Sequence, residues 1–292
     1  MINQFLDYLE HQRRYSAHTV AAYKKDLEQF SLYLEETYEI SEITKADRQL
    51  IRSWVLALME SGVAPSSVSR KLASLSTYFK FMQRQGAVNA NPVGLVSKPK
   101  KAKKLPVYLD VSSIEKLFHA ELFDRDYYGQ QDRVILEMFF GTGIRLSELI
   151  EIKRINLDIG KGLVKVLGKR NKERVIPLTM NLVNLLRDFL VLRDGNVSSE
   201  IPFLFVTKTG KKLYPKFVYR LVNNYLNQVT TITKKSPHVL RHTFATHMLN
   251  QGADLNAIKE ILGHASLAAT QVYTHNSIEK NKSIFKKAHP RG

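Results

Sequence analysis

The sequence predicts a mainly α protein with a small antiparallel β-sheet, built as an all-helical N-terminal domain followed by a mixed α+β domain. Three observations carry that expectation. Apolar residues recur at helical spacing through the first hundred positions, a Lys- and Pro-rich stretch then interrupts the pattern, and beyond it a short β-hairpin sits among further helical segments. The expected boundaries are 1–98 for the helical domain, 99–106 for a basic linker and 107–292 for the second domain.

The opening segment MINQFLDYLEHQRRYS is amphipathic and contains acids, without the basic, apolar and small-residue order of a secretory signal. Ser16-Ala17-His18-Thr19 offers an N-cap, and Val20, Tyr23, Leu27, Phe30 and Leu34 follow at helical spacing, predicting a helix over 19–34. Ile51, Trp54, Val55 and Leu58 mark a second helix that ends before Gly62. Pro65 then opens a third, with Val68, Leu72, Leu75, Phe79 and Met82 as its stripe up to Gly86.

Residues 97–106, Ser-Lys-Pro-Lys-Lys-Ala-Lys-Lys-Leu-Pro, hold two prolines and five lysines and read as a linker able to lie along phosphates. Helical patterns resume over 111–120 and 130–151. Gly162 to Leu167, a polar turn Gly168 to Lys172, and Glu173 to Leu178 read as the hairpin. Further helices are expected over 179–193, 215–229, 239–250, 254–262 and 266–273.

Forty-four Lys and Arg oppose twenty-seven acids, giving a net charge of +17 and a field that attracts polyanions, nucleic acid above all. Cysteine is absent, which removes disulfides, thiolate metal sites and cysteine nucleophiles. With no run of eighteen apolar residues, no membrane span is expected, and a cytoplasmic protein is the simplest reading. Gly141-Thr142-Gly143 lacks the dinucleotide-binding glycine pattern and no P-loop is present, so neither nucleotide nor other cofactor is expected. His238 and His242 stand four apart, a zinc-ligand spacing, but without the Glu or Cys partners of such sites; no metal is expected.

Two stretches stand out: Gly141-Thr142-Gly143-Ile144-Arg145-Leu146-Ser147-Glu148-Leu149, and Pro237-His238-Val239-Leu240-Arg241-His242 running on to Leu262-Gly263-His264 and Tyr273. Together they resemble the tyrosine recombinase (phage-integrase) family, and within it the bacterial Xer recombinases, over essentially the whole chain. The resemblance implies a C-shaped clamp on double-stranded DNA and a DNA strand-exchange reaction at a core recombination site. It also implies a tetramer, either of this chain alone or with a sister recombinase, that works through a Holliday junction with two protomers active at a time. Chromosome dimer resolution is the implied role, with a septal DNA translocase as a possible partner. A mobile-element integrase, a type IB topoisomerase-like enzyme and a non-catalytic architectural DNA-binding protein are the alternatives.

The chemistry suits these residues. Tyr273 can hold a phosphate covalently, but a phenol is only roughly 0.1% ionised at neutral pH and needs help. Arg145 and Arg241 can bind the non-bridging oxygens as negative charge builds on them. Glu148, three residues after Arg145, is expected to orient it from one helical face. The resemblance makes Lys169 the general acid for the departing 5′-oxygen, has His238 assist the tyrosine proton, and has His264 bond the phosphate. Arg70, Lys71, Lys80 and Lys172 are candidate DNA contacts. Ser277 to Ala288 reads as a short helix with Ile284, Phe285 and Ala288 on one face, which the resemblance docks on a neighbouring protomer.

Overall fold

The computed structural model describes residues 1–100, 107–168 and 173–263. By its internal contacts the chain divides into two compact units, Met1–Lys104 and Leu105–Gly292.

The first unit contains α1 (Ile2–Asp7), extended by a π-helical turn over Tyr8–Gln12, then α2 (Ala17–Tyr38), α3 (Arg48–Glu60) and α4 (Pro65–Arg84). Each start has a local cause. The Ser16 side chain accepts from the Thr19 N–H and that of Asp47 from the Leu50 N–H, while Pro65 occupies the first turn of α4, where its missing N–H costs nothing. Helix α2 runs one turn beyond the expected end at Leu34, and its last residue, Tyr38, bonds Ser53 Oγ on α3 at 2.7 Å. Phe5, Leu27, Phe30, Trp54, Leu72 and Phe79 form the centre of the core, with the Phe30 and Trp54 rings 4.7 Å apart.

Buried beside that core is a charged knot. Asp26 on α2, 2% exposed, accepts from both terminal nitrogens of Arg70, from Lys71 Nζ at 3.1 Å and from Ser74 Oγ at 2.7 Å, all on α4. The Lys71 ammonium also bonds Gln29.

The second unit begins with α5 (Val111–Leu117) and α6 (Tyr127–Thr142). Here the single helix expected over 130–151 proves to be two. Helix α6 ends at Gly143, whose φ of 60° is the left-handed C-cap conformation, and α7 (Leu146–Glu151) restarts after Arg145. Glycine is required there for space as well, since a Cβ would lie 2.6 Å from side-chain carbons of Phe244 and Leu262.

The antiparallel sheet has the order β1-β2-β3, with β1 Leu157–Asp158, β2 Leu163–Leu167 and β3 Glu173–Pro177. The hairpin register runs from Leu163 opposite Pro177 to Leu167 opposite Glu173. Two-residue β1 was not expected; it is too short to show a period. Helices α8 (Met180–Asn196), α9 (Pro215–Val229), α10 (Pro237–Asn250) and α11 (Leu255–Leu262) complete the described unit. Helix α6 packs between α8 and α10, with Phe139, Leu240 and Phe244 fully buried around it. The helices expected over 266–273 and 277–288 lie outside the described residues. No helix among the described residues is long and apolar enough to cross a membrane.

Candidate active site

The last turn of α11 is where the site assembles. Three arginines from three different elements donate to main-chain oxygens there. Arg174 Nε on β3 bonds Ile261 O at 3.0 Å, Arg241 Nη2 on α10 bonds Leu262 O at 2.7 Å, and Arg145 Nη2 bonds Gly263 O at 2.6 Å. Arg241 Nη1 also bonds the carbonyl of Gly143, the C-cap of α6. Carbonyls at helix C-termini lack intrahelical donors and carry the negative end of the helix dipole, so guanidiniums suit them on both counts.

Glu148 is the one acid in direct contact with these arginines among the described residues. Only 3% exposed, it accepts from Arg174 at 2.7 and 2.8 Å, one bond to each oxygen, and from Arg145 Nη1 at 2.8 Å. Its Oε2 also accepts the Arg145 backbone N–H at 2.9 Å. This corrects the expected geometry of the Arg145–Glu148 pair. Arg145 is the extended N-cap of α7, and Glu148 reaches back from the third helical position, as the acid of a capping box does, instead of standing beside Arg145 on a helical face. Burial pushes the Glu148 carboxyl up, but the bonds and charges of Arg174 and Arg145 outweigh it and hold it below the usual carboxylate range.

Arg241 is 6% exposed, and burial, reinforced by the neighbouring Arg145 charge, pushes its guanidinium down to about 10. It stays charged at neutral pH, yet its positive charge is under-compensated. Among the described residues three cations and one anion leave this cluster at +2, an arrangement that calls for an anion.

His238 lies in the first turn of α10, exposed, one turn before Arg241. His242 faces inward; burial and then the His238 charge push it down, and its Nε2 is buried with no hydrogen-bond partner among the described residues. His247 sits edge-on to Phe140 with Nε2 3.4 Å from Leu109 O. Among the described residues no three of His, Asp and Glu converge in the manner of a metal site.

The structure thus brings together Arg145, Glu148 and Arg241, with His238 on the same helix as Arg241. Lys169, Lys172, His264 and Tyr273 lie outside the described residues. In the first unit Arg70 and Lys80 are exposed, whereas Lys71 is 8% exposed and its ammonium is turned inward onto Asp26 and Gln29. Arg174 was missed in the sequence reading. Its signal was there: period two in β3 puts Arg174 on the buried face with Ile176, and a charge at such a position requires a partner.

Comparison with known proteins decides the family. Residues 108–280 match the model described as "Phage integrase family", and residues 2–86 match that of "Phage integrase, N-terminal SAM-like domain". The chain belongs to the phage integrase family. Among its relatives, the tyrosine recombinase XerC of Chlorobaculum tepidum is 36% identical, over 99% of this chain and 94% of the relative. The tyrosine recombinase XerD of Staphylococcus haemolyticus is 33% identical over 100% and 99%. This phage integrase family member is therefore a site-specific tyrosine recombinase of the Xer type. Solved structures show the same fold. The XerH recombinase bound to its palindromic difH substrate aligns with a TM-score of 0.74 at 20% identity, covering 97% of this chain and 83% of that one. The Tn1549 transposon integrase in complex with transposon right-end DNA also aligns at 0.74, with 20% identity and coverage of 97% and 98%.

Proposed function

We propose that this recombinase cleaves and rejoins double-stranded DNA through a 3′-phosphotyrosine at Tyr273 and exchanges strands through a Holliday junction, in the resolution of chromosome dimers. The observation that carries the reading is the convergence of Arg145 on Gly263 O and Arg241 on Leu262 O, where α11 ends, with Gly263 directly before His264 and ten residues before Tyr273.

In this mechanism the Tyr273 oxygen attacks the scissile phosphorus, the new O–P bond forms, and the bond to the 5′-oxygen breaks. His238 assists removal of the phenolic proton, and Lys169 supplies a proton to the leaving 5′-oxygen. Arg145 and Arg241 bind the non-bridging oxygens as their charge grows, and His264 donates to one of them. The free 5′-hydroxyl of a second strand then attacks the phosphotyrosine and returns the tyrosine. The phosphodiester energy is kept in the covalent intermediate, so rejoining needs no nucleotide.

The +17 charge supports a phosphate-dominated grip on DNA, in which Arg70, Lys80 and Lys172 contact phosphates. Lys71 acts through the charge balance: with Arg70 it opposes the single acid Asp26, and the surplus of one positive charge is presented at the half-exposed Arg70. The protomers act as a tetramer on paired core sites, of this chain alone or with a sister recombinase.

The test is Tyr273→Phe on a nicked suicide duplex built on the core site recovered by trapping the covalent species on genomic DNA. The variant is expected to bind that duplex like the wild type and to give no covalent band on a denaturing gel. A persisting band would remove Tyr273 from the mechanism.

A further inference from the structure

Glu148 is saturated. Its two oxygens take four donors, two from Arg174 and two from Arg145, which uses the acceptor capacity of an ionised carboxylate. The Arg174 guanidinium meanwhile gives its Nε to Ile261 O at 3.0 Å. One planar fork therefore ties together β3, the start of α7 and the end of α11. It also lies flat against Gly263: a Cβ there would stand 3.2 Å from three of its atoms, and the φ of 63° independently favours glycine. At 7% exposure, Arg174 is shielded from solvent within that frame.

We infer that Arg174 is a positioning residue of the active site, which holds Glu148 and the last turn of α11 and, by neutralising Glu148, leaves the charge of Arg145 available to the scissile phosphate. The inference rests on the reading that Arg145 and Arg241 bind that phosphate. Its physical basis is a competition. Without Arg174, a carboxylate 3% exposed has Arg145 as its remaining partner in the cluster, and the two neutralise each other. The cluster falls from +2 to +1, and the Ile261 carbonyl loses its donor. Lysine cannot replace the fork, because a single ammonium cannot bond both Glu148 oxygens and Ile261 O in this geometry.

A residue that merely supported the fold would give a different response to the charge of the substrate, and this supplies the test. Full-length Arg174→Met and Arg174→Lys are compared with wild type for binding, thermal melting and single-turnover cleavage of the suicide duplex. Each is assayed with a normal scissile phosphate and with a neutral methylphosphonate there, which carries one negative charge fewer into the transition state. Arg174→Met is expected to bind normally and to cleave the phosphate about a hundredfold more slowly. It should recover most of that loss on the methylphosphonate. Arg174→Lys keeps the cluster at +2 but cannot bond both Glu148 oxygens, so one is left to Arg145; it should show a smaller loss with partial recovery, and it carries the test if the methionine variant melts.

Arg145→Ala is the control for the underlying reading. If it responds to the neutral phosphonate and folded Arg174 variants do not, the inference is overturned and the functional reading stands. If Arg145→Ala itself fails to respond, the reading is overturned and the inference falls with it.

Discussion

Two buried carboxylates organise this protein, one in each unit, and they are used in opposite ways. Asp26 binds Arg70, Lys71 and Ser74, all side chains of α4, so its bonds fasten two helices to each other. Glu148 binds two arginines that also reach main-chain oxygens at the end of α11. The first knot holds two cations against one acid; the second, counting Arg241, holds three. The first is locked by side chains of its own helix pair, with its surplus of one positive charge at the exposed Arg70. The second fixes a backbone and carries twice that surplus, at buried and half-buried arginines. Equal burial of an acid thus joins two helices in one place and, in the proposed mechanism, supports an anion site in the other.

The largest effect should come from breaking the second knot at its most buried cation. Arg241→Ala is expected to lower single-turnover cleavage by about a thousandfold, on the order of 4 kcal/mol, with DNA binding within a few-fold of wild type. Comparable losses in both would make Arg241 structural and erase the contrast. Breaking the first knot should do the reverse. Asp26→Ala leaves the Lys71 ammonium buried without its acid and should destabilise the first unit by about 3–5 kcal/mol in denaturant unfolding. Cleavage by the protein that remains folded should be unchanged, and a loss below about 1 kcal/mol would show that the knot does not hold α2 to α4.

A third carboxylate sharpens the comparison because no cation touches it among the described residues. Asp132 is bonded by the Tyr225 hydroxyl at 3.2 Å, and burial, with Asp126 and Asp124 nearby, pushes it up to about 7 against the opposing pull of Tyr225 and Lys208. The folded chain therefore keeps a proton that the unfolded chain loses near 3.8, so this contribution is full at low pH and is lost as pH rises to about 7. Glu148, held below its ordinary value near 4.5, has the opposite sign: its contribution is present above that value and is lost as pH falls through the lower folded one. Asp132→Asn should stabilise the protein at pH 8 by on the order of 3 kcal/mol and little at pH 4. Equal effects at the two pH values would contradict a proton held at Asp132.

The smallest effects belong to the exposed cations. If roughly eight phosphates are contacted, the slope of log K against log salt should approach about −7. Arg70→Gln and Lys80→Gln should each make the slope shallower by about 1 without changing sequence preference. An altered preference would turn either residue from a phosphate contact into a reader of bases.

The helices were legible because burial imposes a period, and the stripes on α3, α4 and α9 carry it from end to end. The break at Gly143 was not, because Ile144 and Leu149 continue an apolar pattern across it, and only the packing of Phe244 and Leu262 reveals why the chain must turn. Lys71 looked like any basic residue on a helix; its acid lies forty-five positions away on another helix. Arg145, His238 and Arg241 were visible as a motif, while Arg174 was hidden by distance, its partner Glu148 being twenty-six positions back. Linear order carries residue types and periods, but it does not carry which buried charges meet.

The way the three arginines grip α11 also sets which changes the protein can absorb. They hold oxygens that every amino acid possesses, so the identities of Ile261 and Leu262 matter only for the apolar space they fill. A mutational scan should find those two positions open to other aliphatic residues of similar volume. Gly263 should stand out between tolerance and refusal, since any side chain there meets both a left-handed backbone and the flank of Arg174. A site anchored this way can drift in sequence around its grip while the grip stays still, with one glycine as its fixed point.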